Sequence, residues 1–160
     1  MGKSKFVPTF GAISLAQQAG RMAKFRQLRF RVNRNTAIWT GRWVPSVLSD
    51  TYQLRISYQF PRRPKIEVLS PQLRLAAGKT QLPHAYKDGQ LDICVHRPEE
   101  WNKTLYIADT IMPWISQWLR FYEYWEQTGC WEGKGTHPEN SSHRSREDSA
   151  QVERNDKERT

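Results

Sequence analysis

Cysteine is scarce in this chain, with two among 160 residues, Cys94 and Cys130. So few thiols exclude a disulfide framework. No run of 18 apolar residues occurs, so no membrane-spanning helix is expected. The first ten residues carry lysines but no apolar stretch of signal-peptide length, and the expected location is the cytoplasm. Carboxylates are nearly missing from the first part of the chain. Residues 1–65 hold thirteen Lys or Arg and one acid, Asp50. No glycine-rich loop leads from a strand into a helix, which excludes activation of an acyl group with ATP by this chain itself. The spacing of Cys130 and His137 with His84 or His143 matches no common zinc pattern, so no metal and no cofactor is expected.

What is present is aromatic and basic. Seven Trp, six Tyr and six Phe supply a core for a single domain of this length. The formal charge of +9 sits mostly in the first part, where it suits an acidic protein surface or nucleic acid, or forms a merely solvated face. Residues 139–160, with six acids and five bases, bury too little apolar surface to order themselves. The expected organisation is an extension over 1–13, a folded domain over 14–138 and a disordered polar tail over 139–160.

Local signals give an α+β order. Ser14 and Gln17 form a capping-box pattern, which predicts a helix from about Ser14 to Phe30. Its apolar stripe is Leu15, Ala19, Met22 and Phe25; Arg21, Lys24, Arg26 and Arg29 form an exposed basic remainder suited to partner binding. Strands follow over Thr36–Val44, over Tyr52–Phe60 and over Lys65–Leu69, and their short links suggest an antiparallel meander. Residues 72–90 read as mostly loop, with at most a short further strand. From Thr104 to Gln127 the apolar period is helical, with Pro113 expected to kink or divide the helix and Gly129 to stop it.

The segment carrying chemistry is Pro83-His84-Ala85-Tyr86 followed by Leu91-Asp92-Ile93-Cys94-Val95-His96. Leu91, Ile93 and Val95 alternate with Asp92, Cys94 and His96, so the second set shares one face of an extended segment. A thiol on that polar face is open to reaction, whereas buried cysteine usually acts as a small hydrophobe.

These features resemble the ubiquitin-conjugating enzymes. Pro61-Arg62-Arg63-Pro64-Lys65-Ile66 is similar to their proline-bracketed entry to a strand. His84 stands ten residues before Cys94, and Trp101 a few residues after it, as in that family. The stretches Ala108-Asp109-Thr110-Ile111-Met112-Pro113-Trp114, Tyr122-Glu123-Tyr124-Trp125 and Thr128-Gly129-Cys130-Trp131-Glu132-Gly133-Lys134-Gly135-Thr136-His137 resemble a bacterial branch. That branch belongs to cyclic-oligonucleotide-based antiphage signalling systems (CBASS). The resemblance implies a ubiquitin-conjugating-like fold with an N-terminal helix, a meander sheet and C-terminal helices. It implies a thioester on Cys94, passed to an amine. The acyl donor would be the C-terminus of a cGAS-like nucleotidyltransferase, activated elsewhere, and the need for a separate activating enzyme stays open. Ala85 and Tyr86 stand where eukaryotic members have Pro and Asn, which leaves the oxyanion donor unassigned. His84 is expected to support the loop; Tyr86, Asp92 and His96 remain open as acid, base or oxyanion groups. Two other readings stay open on the residues alone: a basic nucleic-acid-binding module, and a cysteine hydrolase using Cys94 with His84 or His96. An inactive scaffold of the same fold is a further possibility.

Overall fold

A computed structural model describes residues 11–86 and 92–133. The order is α1 (Leu15–Met22), β1 (Leu28–Asn33), β2 (Thr36–Trp43), β3 (Tyr52–Gln59), β4 (Lys65–Ser70) and α2 (Ile111–Thr128). The four strands form one antiparallel meander in the order β1-β2-β3-β4, so the chain is of the α+β class. The expected tail over 139–160 and the first ten residues lie outside the described residues. Ile13, counted above with the extension, is buried and donates its amide to the Lys103 carbonyl at 2.9 Å.

The capping box forms as the sequence predicts. The Gln17 amide donates to the Ser14 hydroxyl at 3.2 Å, and the Ser14 amide to the Gln17 side chain at 2.9 Å. The helix, however, ends at Met22 and not near Phe30. Leu28, Phe30 and Val32 alternate with Arg29 and Arg31, and this period of two pairs with β2. Before it, the chain turns at Phe25, whose ring meets Trp43 edge-on at 5.3 Å. Gly41 makes this turn possible: a Cβ there would run into the Gln27 carbonyl oxygen and come within 3.0 Å of the Leu28 Cα.

In β3, Tyr52, Leu54, Ile56 and Tyr58 all point into the core, while Gln53, Arg55 and Ser57 face outward. On β2, Ala37 and Trp39 join them, and on β4, Ile66 and Val68. The buried stripe of α2 covers this face: Ile111, Met112, Ile115, Trp118, Leu119, Tyr122 and Trp125, at spacings of three and four. Fully burying one such aliphatic side chain contributes roughly 1.5–3 kcal/mol.

Two features of α2 differ from the sequence expectation. It starts at Ile111 and not near Thr104, because Gln18 takes the local backbone groups. The Gln18 side chain donates to the Leu105 carbonyl and accepts from the Ile107 amide, each at 2.9 Å. Pro113 neither kinks nor divides the helix. It occupies the first turn, where an amide has no intrahelical acceptor to lose. Gly129 ends α2 at φ 73°, with its amide on the Trp125 carbonyl at 2.7 Å. Where a second C-terminal helix was expected, α2 is the single helix after the sheet among the described residues. None of the described helices is long and apolar enough to cross a membrane.

Glu123 of α2 fastens the link between β2 and β3. Its carboxylate accepts from the Ser49 hydroxyl at 2.8 Å, and from the Asp50 amide and Tyr52 hydroxyl at 3.0 Å each. On the other side of the helix, the Tyr122 hydroxyl accepts from the Arg74 amide at 2.7 Å.

Candidate functional site

The cysteine segment lies along β4. The Ile93 amide donates to the Ile66 carbonyl at 2.9 Å, and Asp92 bridges Glu67 in antiparallel fashion. Residues 84–86 pair with 92–94 on the other side. The Cys94 amide donates to the His84 carbonyl at 2.7 Å, and the Tyr86 amide to the Asp92 carbonyl at 2.9 Å. The segment forms isolated bridges where a continuous strand was expected. Leu91 lies outside the described residues.

The alternation of faces holds in part. Ile93 is fully buried and Val95 packs against the core. The opposite set is not wet, as the pattern suggested. Asp92 and His96 are buried, and Cys94 alone of the three is partly exposed. The reason is tertiary: other elements cover this face and supply polar partners for it.

Those partners define what each candidate can do. Asp92 accepts from Arg63 at 2.9 Å and from the Ile66 amide at 3.2 Å, so both carboxylate oxygens are engaged. Burial opposes the Arg63 charge, but the hydrogen bond and charge of Asp92 outweigh it and hold the guanidinium above its ordinary range. The Arg63 guanidinium lies 3.8 Å from the centre of the Tyr86 ring, a close cation–π contact. Burial first, and then the neighbouring Cys94, hold the Tyr86 phenol well above its ordinary range.

His96 meets Cys94 through its backbone. The thiol donates to the His96 carbonyl at 3.3 Å, while the ring Nδ1 is paired with the Arg97 carbonyl at 2.7 Å. The ring packs between Trp114 at 5.7 Å and Trp101 at 6.4 Å. This geometry does not favour a cysteine–histidine hydrolase on His96. His84 is buried, with φ 49°, and its ring lies 5.1 Å from that of Trp131. Its carbonyl accepts from both the Cys94 amide and the Trp118 indole, the latter at 3.2 Å. His84 thus ties the cysteine segment to α2.

Cys130 stands apart. It is exposed beyond the end of α2, with its amide on the Thr128 hydroxyl at 3.1 Å.

The four basic residues expected on one helix face are dispersed. Arg21 and Lys24 both hold Asp109 at 2.9 Å. The Lys24 hydrogen bond, with that of Arg21, draws the Asp109 carboxyl below its ordinary range. Arg26 lies in the turn after α1. Arg29 lies in β1, beside Thr40 and on the outer sheet face with Arg31. Arg63 was the site residue that sequence reading missed. Its signal was the Pro61–Pro64 bracket at the entry to β4, which was read as a strand entry without a role for Arg63 at the cysteine.

An α+β domain with one partly buried thiol pinned to a sheet edge is the class that fold and site define. The family model for Type II CBASS E2 proteins matches residues 17–138, and the chain belongs to that family. The match spans α1, the sheet, the cysteine segment and α2. Membership gives the chain an E2-like role in CBASS, a system of antiviral defence. No curated protein matches the chain.

Proposed function

We propose that this protein is a ubiquitin-conjugating-like acyl carrier that holds a partner's C-terminal carbonyl as a thioester on Cys94 and transfers it to an amine. The fold is then the ubiquitin-conjugating one, and the enzyme class an acyltransferase. The observation that carries the reading is the setting of Cys94. Its amide is fixed to the His84 carbonyl and that of Ile93 before it to β4, its thiol is partly exposed, and Tyr86, with the Arg63 guanidinium on its ring, lies diagonal to it on the same face. A thiolate attacks an activated acyl group without a strong base, and a site that holds it rigidly aids the geometry of attack.

The donor is the C-terminus of a cGAS-like nucleotidyltransferase, delivered in activated form by a separate enzyme in the cytoplasm. Transfer to an amine then regulates antiphage signalling. Its delivery would use electrostatic steering by the basic surface. Arg29 and Arg31 on the outer sheet face suit that role better than Arg21 and Lys24, whose charges Asp109 already meets.

The test is adduct formation with the purified nucleotidyltransferase and its activating enzyme, read by intact mass and non-reducing gel. The Cys130→Ala protein should form a reductant-sensitive adduct and discharge it to amines. The Cys94→Ala protein should form none, and Cys94→Ser a slower, reductant-resistant ester. An adduct on Cys94→Ala, or its loss in Cys130→Ala alone, would overturn the assignment.

A further inference from the structure

Three side chains beside the cysteine are joined in series. Asp92 is anchored to the Ile66 amide of β4 and holds Arg63. Arg63 covers the face of the Tyr86 ring at 3.8 Å. Tyr86 and Cys94 are diagonal neighbours on one face of the paired segments 84–86 and 92–94, within the reach of an aromatic side chain. The backbone fixes the same two residues independently, Tyr86 to the Asp92 carbonyl and Cys94 to the His84 carbonyl. The phenol ring is therefore restrained on its face and at its root.

We propose that the Tyr86 hydroxyl donates to the oxyanion formed during acyl transfer at Cys94, and that Arg63 is the positioning residue that holds the Tyr86 ring for this purpose. This rests on the reading of Cys94 as an acyl carrier. When the sulfur attacks a carbonyl carbon, the new C–S bond places the carbonyl oxygen two bonds from Sγ. The π electrons of the C=O bond move onto that oxygen. A phenol on the same face, diagonal to Cys94, stands on the side of the sulfur where that oxygen forms. The hydroxyl stays protonated near neutral pH, so it is a donor throughout. A donor fixed in advance spends no reorganisation as charge develops. The cation above the ring adds a favourable charge beside the growing negative oxygen. Collapse of the intermediate returns the C=O bond and expels the leaving group with its electron pair. In the discharge step, the amine nitrogen bonds to the same carbon, the C–S bond breaks, sulfur leaves as thiolate and solvent takes the amine proton.

The experiment compares two reactions of one thiol in the full-length Cys130→Ala protein. The first is acylation by p-nitrophenyl acetate, in which sulfur attacks the carbonyl, an oxyanion forms, and nitrophenolate leaves. The second is alkylation by iodoacetamide, in which sulfur displaces iodide and no oxyanion forms. Tyr86→Phe keeps the ring and its packing. It should slow acylation on the order of 10²-fold and leave alkylation unchanged. Arg63→Met should slow acylation in the same selective way, and Arg63→Lys should recover part of the loss. Equal slowing of both reactions would mean that Tyr86 governs access to the thiol, and would overturn the proposal. So would unchanged acylation in Tyr86→Phe. If Arg63→Met fails to fold, Arg63→Lys against the parent still decides the positioning role: a selective loss of acylation relative to alkylation, up to that of Tyr86→Phe, supports it, and a parent-like ratio overturns it. The ester needs no protein partner. Loss of the partner adduct with normal ester chemistry would therefore overturn the proposed function and leave the Tyr86 assignment standing.

Discussion

Replacing Gln18 with alanine tests how α1 is fixed to the rest of the domain. The Gln18 side chain is fully buried and bridges two backbone groups from the segment before α2. Its loss would remove two hydrogen bonds of 2.9 Å and leave the buried Ile107 amide without an acceptor. A net hydrogen bond contributes about 1 kcal/mol, and a stranded buried group costs about 1–3 kcal/mol. Together with the small cavity, Gln18→Ala should destabilise the domain by about 2–5 kcal/mol. The adjacent Gln17 is the internal control. It is exposed and accepts one hydrogen bond, from the Ser14 amide at 2.9 Å. Gln17→Ala should cost only about 0.5–1 kcal/mol, the usual worth of a helix cap. Gln18→Leu separates the two contributions, since it restores volume but not the hydrogen bonds, and should remain strongly destabilised. The assay is urea unfolding of the three variants and the parent, comparing midpoints at equal slope. Equal midpoints for Gln17→Ala and Gln18→Ala, or a parent-like Gln18→Leu, would refute the reasoning.

Two further outcomes follow from the packing and the buried phenols. Gly41→Ala places a methyl against the Gln27 carbonyl, within 3.0 Å of the Leu28 Cα, and should cost about 1–3 kcal/mol, because backbone on both sides must move; an unchanged thermal midpoint would show that the turn after α1 yields freely. Tyr52, Tyr58, Tyr86 and Tyr122 all ionise less readily in the folded chain, chiefly through burial, with Glu123 adding to the effect at Tyr52 and Cys94 at Tyr86. An acid whose folded pKa is raised stabilises fully below its unfolded pKa and loses that contribution as pH climbs beyond it, so urea midpoints should fall above about pH 10. Flat midpoints from neutral pH to about pH 11 would contradict the burial of these hydroxyls.

Much of the architecture was legible because its signals are local. Tyr52 to Tyr58 alternate strictly, and β3 is where that pattern says it should be. Ser14 and Gln17 announce the start of α1, and Gly129 marks the end of α2, since both depend on groups within a turn of themselves. β1 has its own signal in the alternation of Leu28, Phe30 and Val32, but the helix expected from Ser14 was carried over its first part, to Phe30. A basic residue fits either period, so Arg26, Arg29 and Arg31 did nothing to separate them. The start of α2 was not legible, since Gln18 claims backbone groups 87 and 89 residues away.

At the candidate site, the sequence by itself determined that one thiol lies on the face opposite Ile93, ten residues after His84, with an aromatic residue at position 86. Those are matters of spacing and alternation. It could not determine that this polar face is covered, because burial depends on which distant elements pack above it. Tertiary structure alone brought Arg63 from the entry of β4 onto the Tyr86 ring, engaged both oxygens of Asp92, and packed the His96 ring against Trp114. A hydrogen bond or ring contact between residues 29 or 23 positions apart leaves no periodic trace in the chain. The spacing marks the candidate thiol, and the packing decides which groups stand around it.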